Sequence, residues 1–226
     1  MGKMEAAFIA RLEQILHLYA LAYDERYPVV CFDERPCFLV GDLVAGLEMK
    51  AGQVARHHYA YKKHGSCALL MAIEPLTGQR EARVFDRRTK QEYALFMKGL
   101  AARYPEAEKI RLVQDNLNTH NISSFYETFD AAEAFALAQR FEFHYTPKSA
   151  SWLNMIEIEF SALSKQCLSR RIATKEELTR EVMALVKERE AKAIRIDWQF
   201  SIESARGKLN RHYRQVNADN AQYQKT

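Results

Sequence analysis

The sequence predicts an α/β domain built on a five-stranded sheet covered by helices. Three observations carry this reading. Strand-like apolar runs recur five times, at 28–34, 66–74, 80–88, 109–115 and 141–146. The first three follow one another and the last two alternate with helical periodicity, an order that suits an α/β sheet with both faces covered. The chain is 48% apolar and 27% charged over 226 residues, which is enough to bury a substantial core.

Each element follows from local pattern. In EAAFIARLEQILHLYALAY, from residue 5 to about 23, Phe8, Leu12, Ile15, Leu16 and Tyr19 share one helical face. Tyr27-Pro28 ends that helix, and PVVCFDE (28–34) reads as a short strand ending in acids. Gly41 to Gly65 is an irregular basic and aromatic stretch. SCALLMAIE (66–74) is a second strand, PLTG a turn, and 80–88 a third strand. KQEYALFMKGLAARY is helical and Pro105 stops it. KIRLVQD is the fourth strand, 121–140 is mostly helical, and FEFHYT is a fifth strand closed by Pro147. From Ser151 to about Leu168 an amphipathic helix buries Leu153, Ile156, Phe160, Leu163 and Cys167. Helices near 175–190 and 201–214 complete the chain. The organisation expected is a helical lead-in (1–27), a main domain (28–190) and a basic helical extension (191–226).

Charge and cysteine usage narrow the function classes. The net charge is +4, yet from Ser161 onward 14 lysines and arginines face 8 acids. A basic C-terminal third suits a polyanion partner, and equally a solvated helical surface. Cys31, Cys37, Cys67 and Cys167 form no C-x-x-C pair, so neither a disulfide framework nor a zinc site is indicated. No run approaches 18 apolar residues and the N-terminus lacks a signal-peptide core; the cytoplasm is the compartment expected.

The chemistry-bearing residues stand at element ends. Asp33 closes the first strand and Asp115, in LVQDNLNTHN, closes the fourth. A lone aspartate there is ordinarily a turn residue. If the two strands are neighbours, however, the carboxylates meet at one sheet edge, where α/β folds place their sites. Close acids repel unless one is protonated or a cation lies between them. Oxygen ligands without cysteine or paired histidine favour Mg²⁺ or Mn²⁺. A third acid comes from the helix at 151–168, where Glu157 and Glu159 flank opposite sides of the apolar stripe. Geometry leaves both open.

VCFDE, LVQDNLNTHN and YTPKSASWLNMIEIEFSAL together resemble the three acidic motifs of mariner-related DDE transposases, most nearly the insertion-sequence-630 type. The similarity runs from about Phe8 to Tyr213 and takes in IDWQFSIESARGKL. It implies a ribonuclease H-like fold, a mixed five-stranded sheet flanked by helices. It implies Asp33, Asp115 and Glu157 as catalytic, metal-holding carboxylates, because the family pattern LN-x-x-E selects Glu157 after Leu153-Asn154. Glu159 then becomes a helix-surface or support residue. Two divalent ions about 3.5–4 Å apart activate the attacking oxygen and stabilise the leaving one in such sites. Water as attacker gives strand cleavage; a DNA 3′-hydroxyl gives strand transfer.

The resemblance also implies double-stranded DNA (transposon ends and target) as partner, and a homodimer for paired-end chemistry. Nucleoid association follows from DNA as substrate. Candidate DNA contacts are His120, Lys148, Arg87, Arg88, Lys62 and Lys63. In RHHYAYKKHG, basic residues interleaved with Tyr59 and Tyr61 suit DNA better than a metal at His57, His58 and His64. Such transposases usually carry helix-turn-helix modules ahead of the catalytic domain, whereas this chain starts one helix before Asp33. A fragment, a split reading frame and a domesticated descendant are the three explanations, and a separate DNA-binding domain or chain is implied. Two alternatives remain: a catalytically silent DNA-binding or assembly protein, and a ribonuclease H-like nuclease acting on RNA or hybrids.

Overall fold

The computed structural model describes residues 5–43 and 60–223; His57, His58 and Tyr59 lie outside them. Five strands, β1 (Val29–Asp42), β2 (Tyr61–Ile73), β3 (Arg80–Phe85), β4 (Ile110–Gln114) and β5 (Phe141–Tyr145), form one sheet in the order β3-β2-β1-β4-β5. β1 pairs antiparallel with β2, and β2 with β3, whereas β1–β4 and β4–β5 are parallel. This is the mixed, helix-flanked, ribonuclease H-like sheet that the sequence predicts. Crossover helices are what parallel neighbours require. Between β3 and β4 lies α2 (Lys90–Ala102), and between β4 and β5 lie α3 (Ser123–Tyr126) and α4 (Ala131–Gln139).

Strand alternation divides the core into two layers. Cys31, Leu69, Met71, Ile73 and Val113 point to one face and meet Leu12, Ile15 and Leu16 of α1 (Ala6–Tyr19). On the same face they meet Ile156, Phe160 and Leu163 of α5 (Ile156–Gln166), and Leu178 and Val182 of α6 (Lys175–Ala191). Val30, Phe32, Leu70, Ile110 and Leu112 point the other way, against Tyr93, Phe96, Met97 and Leu100 of α2 and Ala134 and Leu137 of α4. Ile196 belongs to the first layer, as does Ala205 of α7 (Ile202–Lys208), so the C-terminal segment shares a core with α1 and β1. α7 is followed by α8 (Asn210–Val216).

Several boundaries move from their expected places. β1 continues past Glu34 to Asp42, because Cys37 and Leu39 keep the alternation going against β2. The ends of the stretch 41–65 are therefore strand. The 121–140 helix is two helices, since Asp130 leaves helical geometry and its carboxylate caps α4 through the Ala132 and Glu133 N–H groups. The helix expected from Ser151 opens as a 3₁₀ turn (Ser151–Leu153) and becomes α-helical only at Ile156. Thr89 and Glu92 build the capping box that starts α2. Gly78 supplies the left-handed residue (φ +82°) of the PLTG turn, where an added Cβ would lie 2.6 Å from the Ile194 carbonyl oxygen.

Glu159 is the polar centre of the first layer, wholly buried and gripped by two guanidiniums. Arg80 donates to both its oxygens at 2.9 Å, and Arg189 does so at 2.8 and 3.0 Å. Arg80 also donates to the carbonyls of Gly78 and Ile194, at 2.5 and 2.9 Å, so the turn, α5, α6 and the segment after α6 meet on one ion cluster. Glu159 is thus a support residue, as expected, but an interior one rather than a surface one. Burial alone would raise its pKa, yet the bonds from Arg80 and Arg189 outweigh it and hold the carboxyl below its ordinary value. Its contribution is then fully present above the unfolded carboxylate value and is lost as pH falls through the lowered folded one. Glu159→Gln should cost about 3–5 kcal/mol at pH 7 by leaving buried arginines uncompensated. Urea unfolding of variant and wild type should show that gap narrowing toward pH 3.

Candidate active site

The parallel register of β1 and β4 sets the site. It aligns Val29 with Arg111 and Cys31 with Val113, so two residues further on Asp33 stands opposite Asp115. Both lie in phase with Cys31 and Val113, on the α5 side of the sheet. Neighbouring strands carrying acids at one edge are what the sequence requires, and the sheet provides them.

Asn154 brings the third acid. It is buried, and its Nδ2 donates to the Phe32 carbonyl at 2.8 Å, tying the chain before α5 to the residue before Asp33. The Tyr19 hydroxyl donates to the Leu153 carbonyl at 2.9 Å, fixing the same segment to α1. Glu157 follows in the first turn of α5, with its side chain exposed. A carboxylate there also meets the helix dipole favourably.

The electrostatics record the convergence. Burial pushes the Asp33 carboxyl up to about 7, the Glu34 backbone N–H works against that rise, and the charges of Asp115 and Glu157 add to it. Asp33 therefore senses both other acids. A divalent cation is the partner that relieves such like charge, and three carboxylates are the hard oxygen donors that Mg²⁺ or Mn²⁺ takes. Among the described residues, no three His, Cys, Asp or Glu side chains are gathered tightly enough to hold an ion as they stand. The fit is one of donor type and charge.

Asp115 is held from behind. The His120 ring is fully buried, packed edge-on to Phe32 and stacked on Tyr93, with ring centroids 5.0 Å apart for the latter. Its Nδ1 lies 2.5 Å from Asp115 Oδ1, and its Nε2 lies 3.6 Å from Glu34 Oε2. Burial favours the neutral ring, yet the bond to Asp115 and the nearby Glu34 carboxylate carry its pKa up to about 9. Glu34 in turn accepts from Arg88 at 3.0 Å. Buried Gln114 accepts from the Tyr93 hydroxyl and donates to the His120 carbonyl, both at 2.9 Å, which pins the 115–120 turn.

The expected DNA contacts separate accordingly. His120 is corrected: a ring with no exposure cannot touch a phosphate, and it orients Asp115 instead. Arg88 is exposed but pairs with Glu34, and Arg87 beside it is exposed. Lys148 is exposed two residues after Thr146, whose N–H donates to the Gln114 carbonyl at 2.9 Å, so it borders the same sheet edge. Lys62 and Lys63 face Gly41 and Val40, seven or eight residues along β1 from Asp33 and so about 23–26 Å away. They are not brought to the acids; Lys63 instead lines a cleft of about 680 Å³ with Arg35, Phe38, Tyr61 and Arg170. His64 is exposed. All four cysteines are free and buried, as the sequence indicates.

The sequence model of one family, described as DDE superfamily endonuclease, matches residues 28–179, which spans β1 through the start of α6 and includes all three acids. The chain belongs to this DDE superfamily endonuclease family. No curated protein matches the chain. Among solved structures, the Mos1 mariner paired end complex with Mn is similar at 13% identity and a TM-score of 0.54, covering 99% of this chain and 65% of that one. The Mos1 strand transfer complex is similar at 14% identity and 0.54, covering 94% and 60%. A pre-cleavage Mos1 transpososome matches at 12% identity and 0.55. These likenesses bear on the fold. The DDE endonuclease chain described here spans about two thirds of the length of the Mos1 chains. No helix among its described residues is long and apolar enough to cross a membrane.

Asn154 and Glu34 stand inside the quoted motifs, yet the anchoring of the Phe32 carbonyl by the one and the place of the other beside His120 are not written in the motif. Asn154→Ala leaves the buried Phe32 carbonyl without its donor, which should cost about 1–3 kcal/mol. Thermal unfolding should record that loss. Asn154→Asp should fail to restore the bond, because a carboxylate has no N–H to donate.

Proposed function

We propose that the chain is the catalytic domain of a mariner-related transposase of the insertion-sequence-630 type, cutting DNA and joining strands with Asp33, Asp115 and Glu157. What supports this reading is the β1–β4 register that sets Asp33 opposite Asp115, with the charge of Glu157 also acting on Asp33, inside the span of the family match. Mos1, whose fold this chain shares, has been solved as paired end complexes with Mn and with Mg, and as a strand transfer complex. The chain therefore takes transposon-end and target duplex DNA and acts as a homodimer.

Asp33, Asp115 and Glu157 would hold Mg²⁺ or Mn²⁺. The chemistry such ions supply when bound is activation of an attacking oxygen and stabilisation of a leaving one in an in-line phosphodiester displacement. The protein's own part is placement. Asp115 is fixed by His120 on one oxygen, leaving the other for the ion. Asp33 presents a desolvated carboxyl, and Glu157 is mounted on a helix tied to β1. Lys148 and Arg87, at the margin, offset the repulsion between an acidic centre and a phosphodiester.

Labelled duplex DNA incubated with Mg²⁺, Mn²⁺ or EDTA should give nicks and strand-transfer products only with metal. Glu157→Gln should lower them at least about 100-fold, the scale of several kcal/mol of lost charge stabilisation. Product insensitive to EDTA or to this substitution would sink the assignment. Matched RNA and hybrid duplexes in the same assay should remain uncut. Lys148→Ala should weaken DNA binding uniformly across sequences and reduce the salt slope by about one.

A further inference from the structure

The solvent face of α5 is not an ordinary polar helix face. Trp152 in the 3₁₀ turn stays 43% exposed and Ile158 44% exposed, beside Glu157. They line an open cleft of about 540 Å³ together with Glu157, Ser161, Lys165 and Gln166. Glu157, Ser161 and Lys165 recur at intervals of four, so they form one row along the helix. Lys165 stands eight residues, about 12 Å, beyond Glu157.

The indole is also firmly mounted. Phe200 packs edge-on to Trp152 with centroids 5.7 Å apart. The segment that carries Phe200 is itself anchored, because Trp198 donates from Nε1 to the Phe200 carbonyl at 2.8 Å and packs edge-on to Tyr19. Lys208 Nζ sits 5.3 Å from the Phe200 ring centroid. The surface beside the third acid thus has an aromatic shelf, with Lys208 against its Phe200 ring and Lys165 lining the same cleft as Trp152. Flat apolar area beside cations fits a polyanion that carries planar bases, and aromatic platforms in basic grooves hold unpaired nucleotides through stacking and phosphate pairing together.

We propose that this face is a nucleotide subsite: an unpaired base beside the phosphate acted on stacks on Trp152, and the adjoining backbone phosphate meets Lys165. The subsite rests on the catalytic reading of Glu157 and specifies the form of DNA it handles, a strand with unpaired nucleotides next to the reacting bond. The sequence motif had absorbed Trp152 only as part of a family pattern; its exposure beside Glu157 is what gives it a role.

The test measures binding without metal, so that it does not depend on cleavage. The full chain is titrated with three labelled duplexes: blunt, with a four-nucleotide single-stranded extension, and with the same extension made abasic. Wild type should prefer the extension with bases over the abasic one by roughly 5- to 150-fold, the scale of one stacked base. Trp152→Phe should keep most of that preference and Trp152→Ala should lose it. Lys165→Gln should weaken both extended duplexes equally. Equal affinity of wild type for the based and abasic extensions overturns the proposal, as does a preference that survives in Trp152→Ala. Metal-dependent cleavage of the same duplexes, run in parallel, reports on the catalytic reading alone, because a stacking preference without cleavage would retain the subsite and reject the transposase chemistry.

Discussion

Two carboxylates side by side on neighbouring strands is an arrangement a chain left to itself would avoid, and the parallel pairing of β1 with β4 is what imposes it on Asp33 and Asp115. Because the register is shared, any displacement of one strand by a residue would turn an acid to the opposite face and bury it among Phe32 and Leu112. The two core layers prevent that slip. Each is filled by alternate residues of the same strands, so the hydrophobic pattern and the placement of Asp33 and Asp115 are one specification. Behind Asp115 the buried His120 ring stands between Asp115 and Glu34.

The two glutamates of IEIE divide the labour of α5. Glu157 leaves the helix toward solvent at the sheet edge, whereas Glu159, two positions on, turns inward to Arg80 and Arg189. Among the described residues no cation is bonded to Glu157, whereas two guanidiniums neutralise Glu159. Their chemistry is the same and their surroundings differ, which is why family pattern rather than residue type separates them in the sequence.

Much of the fold was legible because periodicity reports burial directly. Strand alternation and the stripe at Leu153, Ile156, Phe160, Leu163 and Cys167 all reappear as core. Asp115 was legible as a strand-end acid and its neighbour Asp33 followed from the α/β order, although Asp33 lies within β1 rather than at its end. What stayed hidden depends on contacts across long sequence separations. Nothing local marks Asn154 as the donor to Phe32, His120 as buried, or Glu159 as doubly paired, since each is settled by a partner 122, 88 or 79 positions away. Boundaries failed for a related reason: β1 runs to Asp42 because β2 lies beside it, and α5 starts late because Ser151–Leu153 tightens into a 3₁₀ turn.

One contact of the ion cluster at β3 has a meaning beyond stability. β3 ends the sheet on its antiparallel side, and the backbone N–H of Arg80 donates to Glu190 Oε1 at 2.7 Å. Arg103 binds the same carboxylate at 3.0 Å, while Arg83 and Glu81 pair alongside. An open strand edge is a template on which a further strand can add, from another copy or from an unfolding neighbour. Here α6 spends a side-chain carboxylate on that edge and ion pairs charge its margin, so the first ladder position offered to an incoming chain is already taken. The helix that completes the core therefore also guards the sheet against self-association.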